Sequence, residues 1–234
     1  MNMGNNHKGF TLIELLVAMS VGLVVMAGVS MTFRSQQKSY LLQEQMAAMQ
    51  QNLRAAMFHM EREIRMAGCD PNQTASAQFV TANATSITFT QDLRGDTEGS
   101  LPDGDTEDPS ENITYYLNDI DGDGLGDELR RNDANPGGIG DQVIADNISA
   151  LNFIYLDQAS TKLDDDGAGN VTTSIPQIRS VELTLLARTG RGDRGFQNNA
   201  DYFNQAGDTI FTAPGDNRRR KLLTTCIKCR NMGL

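Results

Sequence analysis

The spacing of apolar positions changes twice along the chain. Between Phe10 and Phe33 almost every residue is apolar, and Glu14 is the only one with a formal charge. At about 1.5 Å rise per residue, a helix of this length spans the roughly 30 Å hydrocarbon core of a bilayer. Residues 10–33 are therefore predicted to form a membrane-spanning helix.

After Phe33 the apolar residues recur every three or four positions, as they do on one face of a helix. This face consists of Met46, Met49, Leu53, Met57, Met60, Ile64 and Ala67. Gly68 favours a helix end, and Pro71 prevents an immediate restart. The pattern predicts one helix from about Thr11 to about Met66, in which residues 34–67 form an amphipathic half that packs on a sheet.

The remainder, residues 68–234, shows the alternation and composition of strands and loops. Five runs are rich in β-branched or aromatic residues and are bounded by Gly, Pro, Asn or Asp. They cover residues 86–90, 113–117, 148–156, 181–187 and 222–227. Long polar segments separate them, at residues 92–111, 119–141, 157–173 and 190–217. The predicted fold class is α+β, with a long N-terminal helix packed on an antiparallel β-sheet domain.

Composition and charge narrow the classes of function. The formal net charge is −10, which offers no broad positive field for nucleic acid, so no nucleic-acid partner is expected. The two histidines are His7, near the N-terminus, and His59, on the predicted helix, so no Ser-His-Asp or Cys-His pairing is credible in the β-rich part. An enzyme is not predicted.

The charges around the apolar segment predict its orientation. His7 and Lys8 precede it, and a long acidic body follows, so the positive-inside tendency places residues 68–234 outside the cytoplasm. A carboxylate within such a segment costs about 2.5–3.5 kcal/mol even on insertion scales. Glu14 is therefore expected to have a partner or a role.

The segment from Gly9 to Val17, GFTLIELLV, resembles the processing site of the type IV pilin superfamily. The resemblance implies that residues 1–9 form a leader, which a prepilin peptidase cleaves between Gly9 and Phe10 before Phe10 is N-methylated. It implies that Glu14 pairs with the terminal ammonium of a neighbouring subunit and that residues 10–33 form the filament core. The implied partners are other major and minor pilins, the prepilin peptidase and the inner-membrane assembly machinery.

Shorter segments are similar to the W-class minor pilins: residues 62–68, 151–156, and 218–223 with the Cys229-Arg230-Asn231 that follows them. This similarity implies an assembly-initiating subunit that is first a single-pass inner-membrane protein with a periplasmic body and then part of the filament or its tip. One alternative is a J-class minor pseudopilin of a type II secretion system. Another is a membrane-anchored, calcium-dependent binding module.

The segment from Asp119 to Glu128 places acidic residues at alternating positions, with Gly124 sixth, as calcium loops require. Arg130 stands twelfth, where an EF-hand loop needs Glu. A shorter calcium site is predicted from Asp119, Asp121 and Asp123, with Asp127 or Glu128. The alternative is an acidic hairpin turn. The acidic segments at 103–105 and 164–167 are interpreted as solvated turns.

The sequence contains three cysteines. On a strand, Cys226 and Cys229 point to opposite faces about 10 Å apart, beyond the roughly 4.4–6.8 Å of a disulfide. Cys69 is therefore predicted to pair with Cys226 or Cys229, which leaves one thiol free; a zinc site would lack ligands. The basic cluster at residues 218–221 is interpreted as a charged edge strand or a docking surface for an acidic partner.

Overall fold

The structure is a computed structural model that describes residues 9–97, 99–122, 126–212 and 215–233. Its one long helix, α1, runs from Leu12 to Ile64. The chain divides into two compact units, one ending at Glu44 and the other beginning at Gln45. In the first unit α1 has a window of mean hydropathy 2.4 with none of its residues buried, so it is long and apolar enough to cross a membrane.

In the second unit, α1 buries the apolar face that its sequence predicts. The buried residues are Met49, Leu53, Ala56, Met57, Met60 and Ile64. Gly68 follows the helix end with a φ of 75°. A Cβ there would lie 2.7 Å from the sulfur of Met232, which the flexible methionine side chain can relieve by moving, so it is the positive φ that favours glycine.

Within the described residues eleven strands follow the helix, and all of their pairings are antiparallel. They are β1 (Phe79–Ala82), β2 (Ser86–Thr90), β3 (Asn112–Asn118), β4 (Glu128–Asp133), β5 (Gly140–Asp146), β6 (Ile148–Leu156), β7 (Lys162–Leu163), β8 (Ser180–Arg188), β9 (Tyr202–Phe203), β10 (Thr209–Phe211) and β11 (Arg220–Lys228). The first five form a meander in the order β1-β2-β3-β4-β5. A second sheet has the order β11-β8-β6-β7, and β9 and β10 form a two-stranded ribbon.

One hydrophobic core joins α1 to both larger sheets. It includes Met60 of the helix, Phe89 of β2, Tyr115 of β3, Phe153 of β6 and Leu183 of β8. Strand β6 is buried along nearly its whole length because a second, smaller cluster of Ala150, Leu186 and Phe211 covers its other face. This double burial explains why the sequence of β6 is a nearly continuous apolar run.

The predicted fold class is confirmed, with two corrections to the sheet. The five predicted strands correspond to β2, β3, β6, β8 and β11. The β strands are divided between two main sheets, whereas the sequence predicted one. Strand β4 lies wholly, and strand β5 partly, within the predicted polar loop 119–141. Strand β4 reads Glu-Leu-Arg-Arg-Asn-Asp, and only its pairing with β3 and β5 makes it a strand.

Arg131 of β4 is buried by an ion pair with the helix. Its Nε atom lies 2.9 Å from Oε2 of Glu63, and the two side chains are only 5% and 13% exposed. The hydroxyl of Tyr115 donates to the same Glu63 oxygen at 2.5 Å and lies 2.8 Å from Nδ1 of His59. Burial and the charge of Glu63 raise the pKa of Tyr115, so the hydroxyl stays protonated as a donor. This cluster joins α1 to β3 and β4.

The disulfide predicted between Cys69 and either Cys226 or Cys229 is not present, because all three cysteines are free thiols. Cys226 lies on the exposed side of β11, whereas Cys229, just beyond the strand, is buried in the core. The two therefore lie on opposite sides, as the alternation along a strand predicts. Cys229 is therefore held in the hydrophobic core by packing and not by a disulfide.

A maleimide reagent should label Cys226 in the native chain and spare Cys229. Burial, aided by the neighbouring Cys226, raises the pKa of Cys229 to about 12, so its thiolate is scarce at neutral pH. Peptide mapping by mass spectrometry measures the labelling, and Cys226→Ser is the control that should remove the fast reaction. A non-reducing map that links Cys69 to either C-terminal cysteine would restore the disulfide prediction.

Candidate processing and assembly site

The first turn of α1 is closed by a reciprocal set of hydrogen bonds between Thr11 and Glu14. The backbone N–H and the hydroxyl of Thr11 each donate to Oε2 of Glu14 at 2.9 Å. In return, the backbone N–H of Glu14 donates to the Thr11 hydroxyl oxygen at 3.3 Å. This arrangement is a capping box, in which two N–H groups that lack partners inside the helix find side-chain acceptors.

Thr11 is the residue of this site that the sequence interpretation misses. Its signal is present, since a Thr followed three residues later by Glu, ahead of an apolar run, is the capping-box pattern. From the sequence, Glu14 has only an expected intermolecular role. The structure adds an intramolecular one, in which Glu14 stabilises the start of its own helix.

The residues around the predicted cleavage point are open. Phe10 is 90% exposed, and a Cβ on Gly9 would meet no atom within 4 Å. Glu14 is exposed as well and lies in the first turn of the helix. Cleavage after Gly9 would place a new α-amino group four residues before this carboxylate. The positive end of the helix dipole disfavours an ammonium and favours an anion, so it would stabilise the Glu14 carboxylate and disfavour the new α-amino group.

Two comparisons agree with these observations. Residues 4–30 match the prokaryotic N-terminal methylation motif. A type IV-like pilin from Thermus thermophilus has a similar structure, with a TM-score of 0.51 and 16% sequence identity over 79% of this chain and 97% of that one. The chain has a type IV pilin-like fold and carries the N-terminal methylation motif. No curated protein sequence matches it.

The predicted calcium loop of this pilin-like chain lies in the hairpin between β3 and β4. Oxygens of Asp119, Asp121 and Asp127 lie within 4.8 Å of one another. Asp123 lies outside the described residues. Calcium binding at this loop stays a prediction.

Asp127 of that loop already has protein partners. It forms an ion pair with Arg188 in which the two side chains are 15% and 12% exposed, and it accepts the N–H of Ile120 at 3.0 Å. Burial alone would raise the pKa of Asp127, but the bonds from Ile120 and Arg188 outweigh it and lower the pKa. The Asp127 carboxylate therefore holds the hairpin between β3 and β4 to β8. This contact fits the alternative interpretation of the segment as an acidic hairpin turn.

The basic cluster at residues 218–221 lies at and just before β11, which is an edge strand of its sheet. Arg219 pairs with Asp193 at 2.9 Å and Arg220 with Asp216 at 2.7 Å. Arg220 also lies over the ring of Phe211, 4.7 Å from its centroid. These partners neutralise much of the cluster, which favours the edge-strand interpretation over a docking surface for an acidic partner.

Proposed function

We propose that this chain is a minor pilin of a type IV pilus, held in the inner membrane by residues 10–33 and then incorporated into the filament. Its body would lie in the periplasm before assembly and in the pilus or at its tip afterwards. The methylation motif, the exposed apolar half of α1 and the pilin-like β domain support this proposal.

The observation that carries the proposal is the placement of Glu14. It is the one formal charge among residues 10–33, it is exposed, and the capping box holds it in the first turn of α1. An apolar helix that only anchored the chain would need no carboxylate there, since a neutral Gln can close a capping box. A carboxylate held near the predicted new terminus suits the ammonium of another pilin.

The minor-pilin assignment adds a division of roles to this assembly contact. The apolar half of α1 would supply packing in the filament core, and the domain beginning at Gln45 would determine the subunit's neighbours. Other pilins, the prepilin peptidase and the inner-membrane machinery are its proposed partners. The assignment to the W class rests on the short sequence similarities given above.

Processing can be tested by mass spectrometry of the N-terminus. The chain recovered from membranes or pili should begin with a methylated Phe10, and Gly9→Val should leave the leader attached because a β-branched side chain replaces glycine at the scissile bond. Gly22→Val is the matched control, since Gly22 is as open as Gly9 but lies inside α1. An intact Met1 in the wild-type chain, or equal processing of the two variants, would contradict the proposal.

A further inference from the structure

The segment between β2 and β3 is unusually acidic. Residues 92–111 contain eight carboxylates and a single basic residue, Arg94. The sequence predicts a solvated turn at residues 103–105, but the structure buries three of the segment's other carboxylates. Asp92 and Glu111 are 0% exposed, and Asp108 is 7% exposed. Ionised side chains with so little exposure normally have a compensating partner.

The carboxylates converge on Asp108. Oxygens of Asp96, Asp103 and Asp108 all lie within 4.8 Å of one another, and so do oxygens of Asp105, Asp108 and Glu111. Asp108 is common to the two groups. The exposed members, Asp96, Asp103 and Asp105, stand on the solvent side of the buried ones. The arrangement offers two sets of oxygen donors around one buried carboxylate.

Protein donors satisfy only part of this set. Oε1 of Glu111 accepts the N–H groups of Leu93 and Arg94 at 2.7 and 3.0 Å, and Oδ2 of Asp92 accepts that of Gly104 at 3.1 Å. Oδ1 of Asp92 and Oδ2 of Asp108 are buried without any hydrogen-bond partner. Arg94, the one cation in the segment, directs Nη2 to the carbonyl of Pro109 at 2.6 Å.

The buried acceptors that lack a hydrogen-bond donor are concentrated in and beside residues 92–111. Among the described residues, six buried side-chain polar atoms lack a partner, and four of them are oxygens in or beside this segment. Besides Asp92 and Asp108, they belong to Gln91 and Asp133. Both of these contact Ser110: Gln91 donates to its carbonyl at 2.7 Å, and Asp133 accepts its N–H at 2.8 Å. The region has a surplus of buried acceptors, which a cation would satisfy.

The chemistry of the donors points to the class of cation. All of them are oxygens, mostly carboxylate, with no nitrogen or sulfur ligand in either group. Hard divalent cations prefer such ligands, and calcium accepts the irregular geometry that a loop supplies, whereas magnesium demands a near-ideal octahedron.

We infer that the segment 92–111 binds a divalent cation of the calcium type, with the buried carboxylate of Asp108 as the central ligand and exposed aspartates completing the site. Asp103 and Asp105 supply ligands from either side of Gly104. The backbone N–H of Asp92 also donates to the carbonyl of Cys69 at 2.7 Å, which ties the segment to the chain just beyond α1. This inference is independent of the role in a pilus.

Calcium binding can be measured on the full chain, purified in detergent and stripped with a chelator. Calorimetric titration with calcium chloride should show saturable binding, and calcium should raise the temperature of thermal unfolding more than an equal concentration of magnesium does. Asp108→Asn should weaken calcium binding by at least about tenfold because a charged, buried ligand is lost. Asp201→Asn, the same change at an exposed aspartate outside residues 92–111 and 119–128, should leave it unchanged.

A second variant decides the matter if Asp108→Asn does not fold. The double substitution Asp103→Asn/Asp105→Asn changes only exposed side chains, so it should fold normally and still bind calcium at least about tenfold more weakly. Absence of calcium binding by the wild-type chain would overturn the inference. So would wild-type binding by the double variant together with a loss of binding by Asp121→Asn, because the cation would then lie in the hairpin loop between β3 and β4.

Discussion

Glu14→Gln should leave the chain processed and folded but remove it from filaments. Glutamine retains the size of the side chain and can still close the capping box with Thr11, so the helix start is preserved. The charge that would attract a neighbouring ammonium is lost. We expect incorporation into sheared pili to fall by more than about tenfold, equivalent to about 1.4 kcal/mol, measured by immunoblot against the membrane pool.

Thr11→Ala is the matched control for this experiment because it removes the cap and retains the charge. Losing an N-cap typically costs about 1 kcal/mol of helix stability, which the packed filament core should largely tolerate. Glu14→Gln should therefore reduce incorporation much more than Thr11→Ala does. The reverse order would assign Glu14 a purely intramolecular role and contradict the assembly contact.

Breaking the ion pair between Glu63 and Arg131 should strongly destabilise the β domain. Both side chains are largely buried, and Glu63→Gln would leave the Arg131 guanidinium without its carboxylate partner. Removing one member of such a pair typically costs about 3–5 kcal/mol because the other charge stays buried. Chemical denaturation of the full chain in detergent, followed by circular dichroism, should show this loss of unfolding free energy.

The neighbouring pair Glu61–Arg65 supplies the control on the same helix. Its side chains are 32% and 42% exposed, so Glu61→Gln should cost no more than about 0.5 kcal/mol. The double variant Glu63→Gln/Arg131→Met removes both charges and should recover much of the stability lost by Glu63→Gln alone. Equal effects of Glu61→Gln and Glu63→Gln would show that burial of the Glu63–Arg131 pair contributes little to the free energy of unfolding.

Elements that depend on interactions between neighbouring residues were predictable from the sequence, whereas those that depend on contacts between distant residues were not. The helix was predictable to within two residues at each end because its apolar spacing and Gly68 are local signals. Strand β6 was predictable because burial on both faces demands an apolar run. Strand β4 was not, since its Arg131 is buried only through Glu63, 68 residues away in the chain.

The candidate sites divide in the same way. The Gly9-Phe10 junction and Glu14 are recognisable from about ten residues of sequence. The Thr11 cap has a local sequence pattern too, and the hydrogen bonds between Thr11 and Glu14 establish it. The acidic segment 92–111 looks like many solvated loops. Its buried carboxylates become apparent only when Asp92, Asp108 and Glu111 are seen to lie beneath the surface together.

By itself, the sequence determined that the chain has one membrane-length apolar helix with a single carboxylate, which continues into an amphipathic half and is followed by a β-rich domain. The tertiary structure alone decided that the strands divide between two main sheets and that the cysteines are free. It also decided which buried carboxylate oxygens have no hydrogen-bond donor. The physical reason is that apolar periodicity is a local property of the chain. Whether a polar group is buried, and what satisfies it, depends on residues that only folding brings together.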